Sequence, residues 1–130
     1  VSRTTPSGER AEHWKRDPEP QDFPAAGQYL SLLVRPRAAR RLEAALRLRE
    51  RLTYYKSKDL LRASGLPLLP ADDAEVAKDL AKVAAGTRLS PVLLVRGVPL
   101  WVADGYHRIC ASYHLSEDAA IPCRIVRRDR

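Results

Sequence analysis

PVLLVRGVPLWVADGYHR, residues 91–108, holds two short apolar runs, Pro91–Val95 and Leu100–Ala103, separated by Gly97-Val98-Pro99. Strand-forming residues on either side of a glycine- and proline-containing turn predict a β-hairpin. The run from Ile109 to Leu115 predicts a helix directly after the second strand. Gly105 therefore falls at a strand-to-helix junction, where a residue without Cβ lets the backbone come close to a ligand. The first turn of the helix offers free N–H groups and a partial positive charge. His107 and Arg108 add two cationic or donor groups to that corner, so the guest expected there is a phosphate-bearing small molecule.

Downstream, Ser116–Ala120 is a polar connection and Ile121–Val126 a closing strand, followed by a basic tail. Upstream, Asp72 or Asp73 is a natural N-cap, with Glu75 favourable in the first turn. The helix they start carries Val76, Leu80 and Val83 inward and ends near Gly86. Lys58–Ala63 predicts one or two further helical turns, stopped by Gly65 and Pro67. From Arg37 to Leu52 the pattern is again helical, with Pro36 suited to a first turn. Ala38, Leu42, Ala45, Leu46 and Leu52 share one face at 3.6-residue spacing, and Arg37, Arg40, Arg41, Arg47 and Arg51 gather on another. Tyr54 and Tyr55 end this helix or begin a connection, and Tyr29–Val34 is a short strand or a helix entry. Val1–Gly27, with four prolines and little periodicity, predicts a flexible arm. The expected organisation is an arm (1–27), a basic helical extension (28–65) and an α+β domain with mixed strand pairing (66–130).

A chain of 130 residues supports one domain with a real core. No apolar run approaches the roughly 20 residues of a membrane-spanning helix, and the first residues lack the apolar stretch of a signal peptide. A cytoplasmic protein is expected, and frequent Arg, Ala, Leu and Pro fit a GC-rich bacterial genome. The two cysteines, Cys110 and Cys123, sit among apolar neighbours and read as small core residues; two are too few for a disulfide framework or a four-thiolate zinc site. The net charge of +7 is concentrated in Ser31–Arg62, where ten basic residues face three acidic ones. An electrostatic partner belongs on that segment.

Ala71–Val126 resembles the fold shared by the ParB N-terminal domain and sulfiredoxin. The likeness is carried by the helix with Val76 and Val83, the Pro91-Val92 step into a strand, the DGYHR turn, the helix after it, and the Ile-Pro-x-x-x-Ile strand from Ile121 to Ile125. Members of that superfamily bind nucleotides or phosphate groups with this turn. Sulfiredoxin has a Gly-Gly-Cys-His-Arg version and free-serine kinases an Asp-Gly-His-His-Arg version. The resemblance implies that His107 and Arg108 contact phosphate oxygens and that Gly105 provides the close approach. It also places Lys78 and Lys82, i and i+4 neighbours, on the opposite wall. ATP, ADP or CTP and Mg²⁺ are the implied cofactors. Tyr106 stands where sulfiredoxin carries its reactive cysteine, which disfavours sulfinic-acid reduction. The serine-kinase version is closer, yet that family needs a carboxylate base from outside the turn.

Two functional classes remain open at this point. In the first, Asp104, His107 and Arg108 work on a ligand held by Gly105, Tyr106, His107, Arg108, Lys78 and Lys82, as in phosphoryl transfer or nucleotide hydrolysis. Asp104 has three candidate roles: helix cap, Mg²⁺ ligand or base, the cap being the commonest for a residue so placed. In the second, a non-catalytic module presents Arg37, Arg40, Arg41, Arg47 and Arg51 to nucleic acid or to a protein. Against each stands a plain alternative: a solvated charged face for the arginines and lysines, an exposed ion pair with Arg62 for Asp59, and a local hydrogen bond for His114.

Overall fold

The computed structural model describes residues 13–129 and has a mixed α+β architecture. Five helices and four strands follow one another among these residues: α1 (Asp22–Leu30), α2 (Pro36–Leu48), β1 (Thr53–Lys56), α3 (Ser57–Ser64), α4 (Ala74–Ala84), β2 (Val92–Arg96), β3 (Trp101–Asp104), α5 (Tyr106–Leu115) and β4 (Ala120–Arg127). The sheet order is β1-β4-β2-β3. The hairpin pair β2/β3 is antiparallel, β2/β4 parallel and β1/β4 antiparallel. α5 thus carries the chain from edge strand β3 across β2 to β4. No helix among the described residues is long and apolar enough to cross a membrane.

The two inner strands explain the unbroken apolar run Val92–Val95, all of it buried. A strand covered on both faces needs hydrocarbon at every position, not at alternate ones. Val92 and Leu94 pack with Leu60, Val76, Leu89, Ile109, Cys110 and Ile121 beneath α3, α4 and α5. Leu93 and Val95 face the other way, into a cluster with Phe23, Leu30, Leu42, Leu46 and Val126 beneath α1 and α2.

That second layer revises the expected organisation: the packing does not divide at 27/28 or at 65/66. β1, from the segment expected as a helical extension, is an edge strand paired with β4, Thr53 opposite Cys123 and Lys56 opposite Ala120. Much of the expected arm is also built in from His13 onward; residues 1–12 lie outside the described residues. Trp14 is only 6% exposed and belongs to the core beneath α4 and α5. Its neighbours bond to Leu89 through Lys15 N–H (2.7 Å) and the His13 carbonyl (2.8 Å). In α1, Phe23, Ala26, Gly27 and Leu30 are buried at i, i+3, i+4, i+7 spacing. Burying one indole and one phenyl ring outweighs the disorder that scattered prolines favour.

Helix ends follow ordinary chemistry. Pro36 opens α2 in its first turn. Asp73 accepts from the N–H groups of Glu75 and Val76, both at 3.1 Å, and so caps α4, a contribution of about 1 kcal/mol. Gly65 ends α3 at φ +73°. The end of α2 is closed from a distance: Arg124 on β4, 5% exposed, donates Nη1 to the carbonyls of Leu46 (3.1 Å) and Arg47 (2.9 Å).

Candidate functional site

The β3–α5 turn is built by Gly105, which adopts φ +112° and ψ +14° at the N-cap of α5. A Cβ at this position would lie 2.5 Å from Val92 Cγ1 and 3.0 Å from Arg108 Nη2. The close approach that requires glycine is therefore to the start of β2. No side chain caps α5, so its first-turn N–H groups remain donors. The expectation that Asp104 caps the helix is corrected here. Its Oδ2 turns instead to Arg108 Nη2 at 3.0 Å, across one turn of chain.

Arg108 is the hub of the corner. Nε donates to the Ser90 carbonyl (2.9 Å), and Nη2 donates to the Pro91 carbonyl (3.2 Å) as well as to Asp104. These two carbonyls belong to the residues that lead into β2. A planar guanidinium reaches all three acceptors from one position, which an ammonium cannot. Nη1 has no hydrogen-bond partner among the described residues.

α4 supplies the group that sequence reading missed. Asp79 is 8% exposed and faces this corner, where the charges of Arg108, Lys82 and His107 act on it. Its carboxylate accepts no hydrogen bond among the described residues. Burial pushes its pKa up, and the three cations oppose that shift without cancelling it. Burial likewise raises Asp104, against the pull of Arg108 and with help from the charge of Asp22. Two carboxylic groups with raised pKa values thus flank one arginine. The signal for Asp79 was present in the sequence: it lies three residues after Val76 and four before Val83, on the face assigned to the core.

The other expected residues divide. His107 is half-buried, makes no side-chain hydrogen bond among the described residues, and has its ring centroid 5.5 Å from that of Tyr106. Tyr106 itself donates its hydroxyl to the Pro67 carbonyl at 2.5 Å, tying the 66–70 segment over α5. Lys82 acts on Asp79 and so belongs to the corner, whereas Lys78 pairs with Glu75 at 3.5 Å on the exposed side of α4. His114 is bonded to the Leu69 carbonyl at 2.7 Å. Cys110 and Cys123 are buried free thiols whose pKa values burial pushes up.

The arginine stripe is also redrawn. Arg37, Arg40, Arg41 and Arg47 are exposed on α2, Arg47 paired with Glu43 at 2.8 Å and lying over the Phe23 ring. Arg51 is not on that stripe, because α2 ends at Leu48. Asp59 has no ion pair with Arg62. It lines a cavity of about 210 Å³ with Tyr55, Leu60, Leu94, Leu100 and Ile125, away from the glycine turn.

Comparison of the chain with protein-family models, curated proteins and solved structures finds no match.

Proposed function

We propose that the protein binds a phosphate-bearing ligand, a nucleotide in the first instance, at the corner formed by Gly105, His107, Arg108, Asp79 and Lys82, and that it catalyses phosphoryl transfer or hydrolysis there. The observation that carries this reading is Asp79: a largely buried residue whose carboxylate has no hydrogen-bond donor among the described residues, set beside a histidine and an arginine at an uncapped helix start. It supplies the carboxylate from outside the turn that the resemblance to free-serine kinases calls for. In this reading the first-turn N–H groups of α5 and Arg108 Nη1 hold phosphate oxygens, and Lys82 closes the opposite side. Asp79, whose pKa burial raises, takes the proton from an acceptor hydroxyl or water as its oxygen attacks phosphorus, and His107 donates to a phosphoryl oxygen. Asp104 holds Arg108 in place. A Mg²⁺ ion bound with the nucleotide would need only one or two protein carboxylates; Asp79 would hold it here, and it would supply neutralisation of phosphate charge. Lys78, tied to Glu75, is left out of the site.

Calorimetry with ATP, ADP and CTP in the presence of Mg²⁺, followed by product analysis with and without free serine, tests the proposal. Saturable binding with turnover is expected, and Asp79→Asn should keep binding while losing turnover. Binding without product in every arm would reduce the protein to a ligand-dependent module. Absence of both would remove the site.

A further inference from the structure

The strongest unassigned feature is a track of adjoining concavities at the end of the sheet where β1 begins and β4 and β2 finish, reaching from the end of α2 to α3. Its centre is a groove of about 320 Å³ lined by Arg49, Arg51, Arg96 and Arg127, with Thr53 and Ile125 between them and no acidic residue in its wall. On one side it runs into a shallow hollow of about 650 Å³, sharing Arg49 and Arg51 and bordered by the exposed Leu48, with Glu50 the one acidic residue in its lining. On the other side it shares Arg96 and Ile125 with the largely apolar cavity of Tyr55, Leu60, Leu94 and Leu100, whose wall also includes Asp59. Arg96 stands at that junction, its Nη2 3.5 Å from the Tyr55 hydroxyl. Arg127 is held by an exposed contact with Asp129 at 3.5 Å, which salt and solvent weaken. Arg49 and Arg51 have no ion-pair partner among the described residues.

We propose that this track binds single-stranded nucleic acid, with consecutive phosphates along Arg49, Arg51, Arg96 and Arg127 and one unpaired base in the apolar cavity against Tyr55. The charge pattern selects a polyanion: four arginines lining one groove exceed what one small phosphate can neutralise. The apolar cavity at the end of the row selects the single strand, because a base enters it only when unstacked and unpaired. A basic groove combined with an aromatic-lined base pocket is the general solution for strands bound without sequence readout. The groove also gives the positive excess of residues 31–62 a different address from the α2 stripe: Arg49 and Arg51 lie beyond the helix, and β2 and β4 supply the other two arginines. The proposal is independent of the glycine-turn corner, which shares no residue with the track.

Fluorescence anisotropy with labelled single-stranded oligonucleotides of about twelve residues tests it. Binding at low salt should weaken with a log–log salt slope of about −3, for about four phosphates neutralised on a single strand. Arg51→Glu with Arg127→Glu should weaken it about tenfold or more, while the charge-matched Arg37→Glu with Arg40→Glu on α2 should change it by less than about twofold. All four side chains are exposed, and circular dichroism checks that each variant is folded. The same Arg51/Arg127 variant should titrate with nucleotide at the glycine turn as the parent does, which separates failure here from failure of the proposed activity. Equal loss in both reversed pairs, equal affinity for duplex, tight displacement by inorganic pyrophosphate alone, or no binding at low salt would each overturn the assignment.

Discussion

Arg108 Nη2 and Asp104 Oδ2 lie 3.0 Å apart across the glycine that joins β3 to α5. The pair is one arm of a fork whose other contacts are the carbonyls of Ser90 and Pro91, so one side chain fixes the turn against the start of β2. The arginine of the DGYHR motif is consequently part of the scaffold as well as of the candidate site. Changes in function at this position must be measured beside changes in stability.

Arg108→Lys keeps the charge and loses the fork. It should destabilise the fold by about 2 kcal/mol, since an ammonium cannot reach both carbonyls and the carboxylate, and a buried acceptor left without a donor costs about 1–3 kcal/mol. Urea unfolding reads this directly; a midpoint equal to the parent's would show that the fork is dispensable.

Asp79→Asn separates the proposed catalytic role from stability. The folded protein holds the Asp79 proton more tightly than the unfolded chain does. Its contribution to stability therefore falls as pH rises from the ordinary aspartate range through the raised folded value, and its cost is complete above that value. Asparagine has no such cost. The stability of Asp79→Asn relative to the parent should rise across that interval, and at neutral pH it should be at least as stable. A variant whose stability relative to the parent falls as pH rises would mean that the ionised carboxylate stabilises the fold.

Gly105→Ala and Gly86→Ala form a matched pair. Both glycines have positive φ, +112° and +83°, but a Cβ at Gly105 meets Val92 while one at Gly86 meets nothing within 4 Å. Gly86→Ala should cost about 1 kcal/mol of backbone strain. Gly105→Ala should cost about 2 kcal/mol more, because Val92 is fully buried and cannot move aside. Equal thermal shifts for the two variants would place the requirement in φ alone.

Neither cysteine should react with a thiol reagent in the native protein. Cys123 is fully buried with its thiol pushed far up, and Cys110 is buried and raised as well. Reactivity follows thiolate character and exposure, so both should label only in denaturant. A rapidly labelled Cys110 would reopen thiol chemistry at the corner.

The hairpin, the glycine junction, α5 and β4 were legible because each is specified by a few consecutive residues. Asp73 as a cap and Gly65 as a helix stop were legible for the same reason. α1 had a readable pattern in Phe23, Ala26, Gly27 and Leu30, masked by Pro24 and by the prolines before it. β1 had none: Thr53–Lys56 is four residues long, and its strand character comes from pairing with β4 some 65 residues later. Of the candidate site, the turn could be read locally. Asp79 could be spaced onto the core face of α4, but not placed beside Arg108 and His107 until α4 was seen to pack against α5.

Local chemistry along the chain thus settled roughly where α3 to α5 and the strands of the hairpin lie and where α2 begins, though not its end, expected at Leu52 and found at Leu48; it also settled which corner offers uncapped amides beside a histidine and an arginine. Partners distant in sequence settled the rest: that Trp14 and α1 belong to the core, that Asp104 bonds to Arg108 instead of capping, that Asp79 completes the corner, and that four arginines from three segments share one groove. The reason is range. Caps, turns and periodicity act over a few residues, whereas burial and charge pairing depend on which surfaces the sheet brings together.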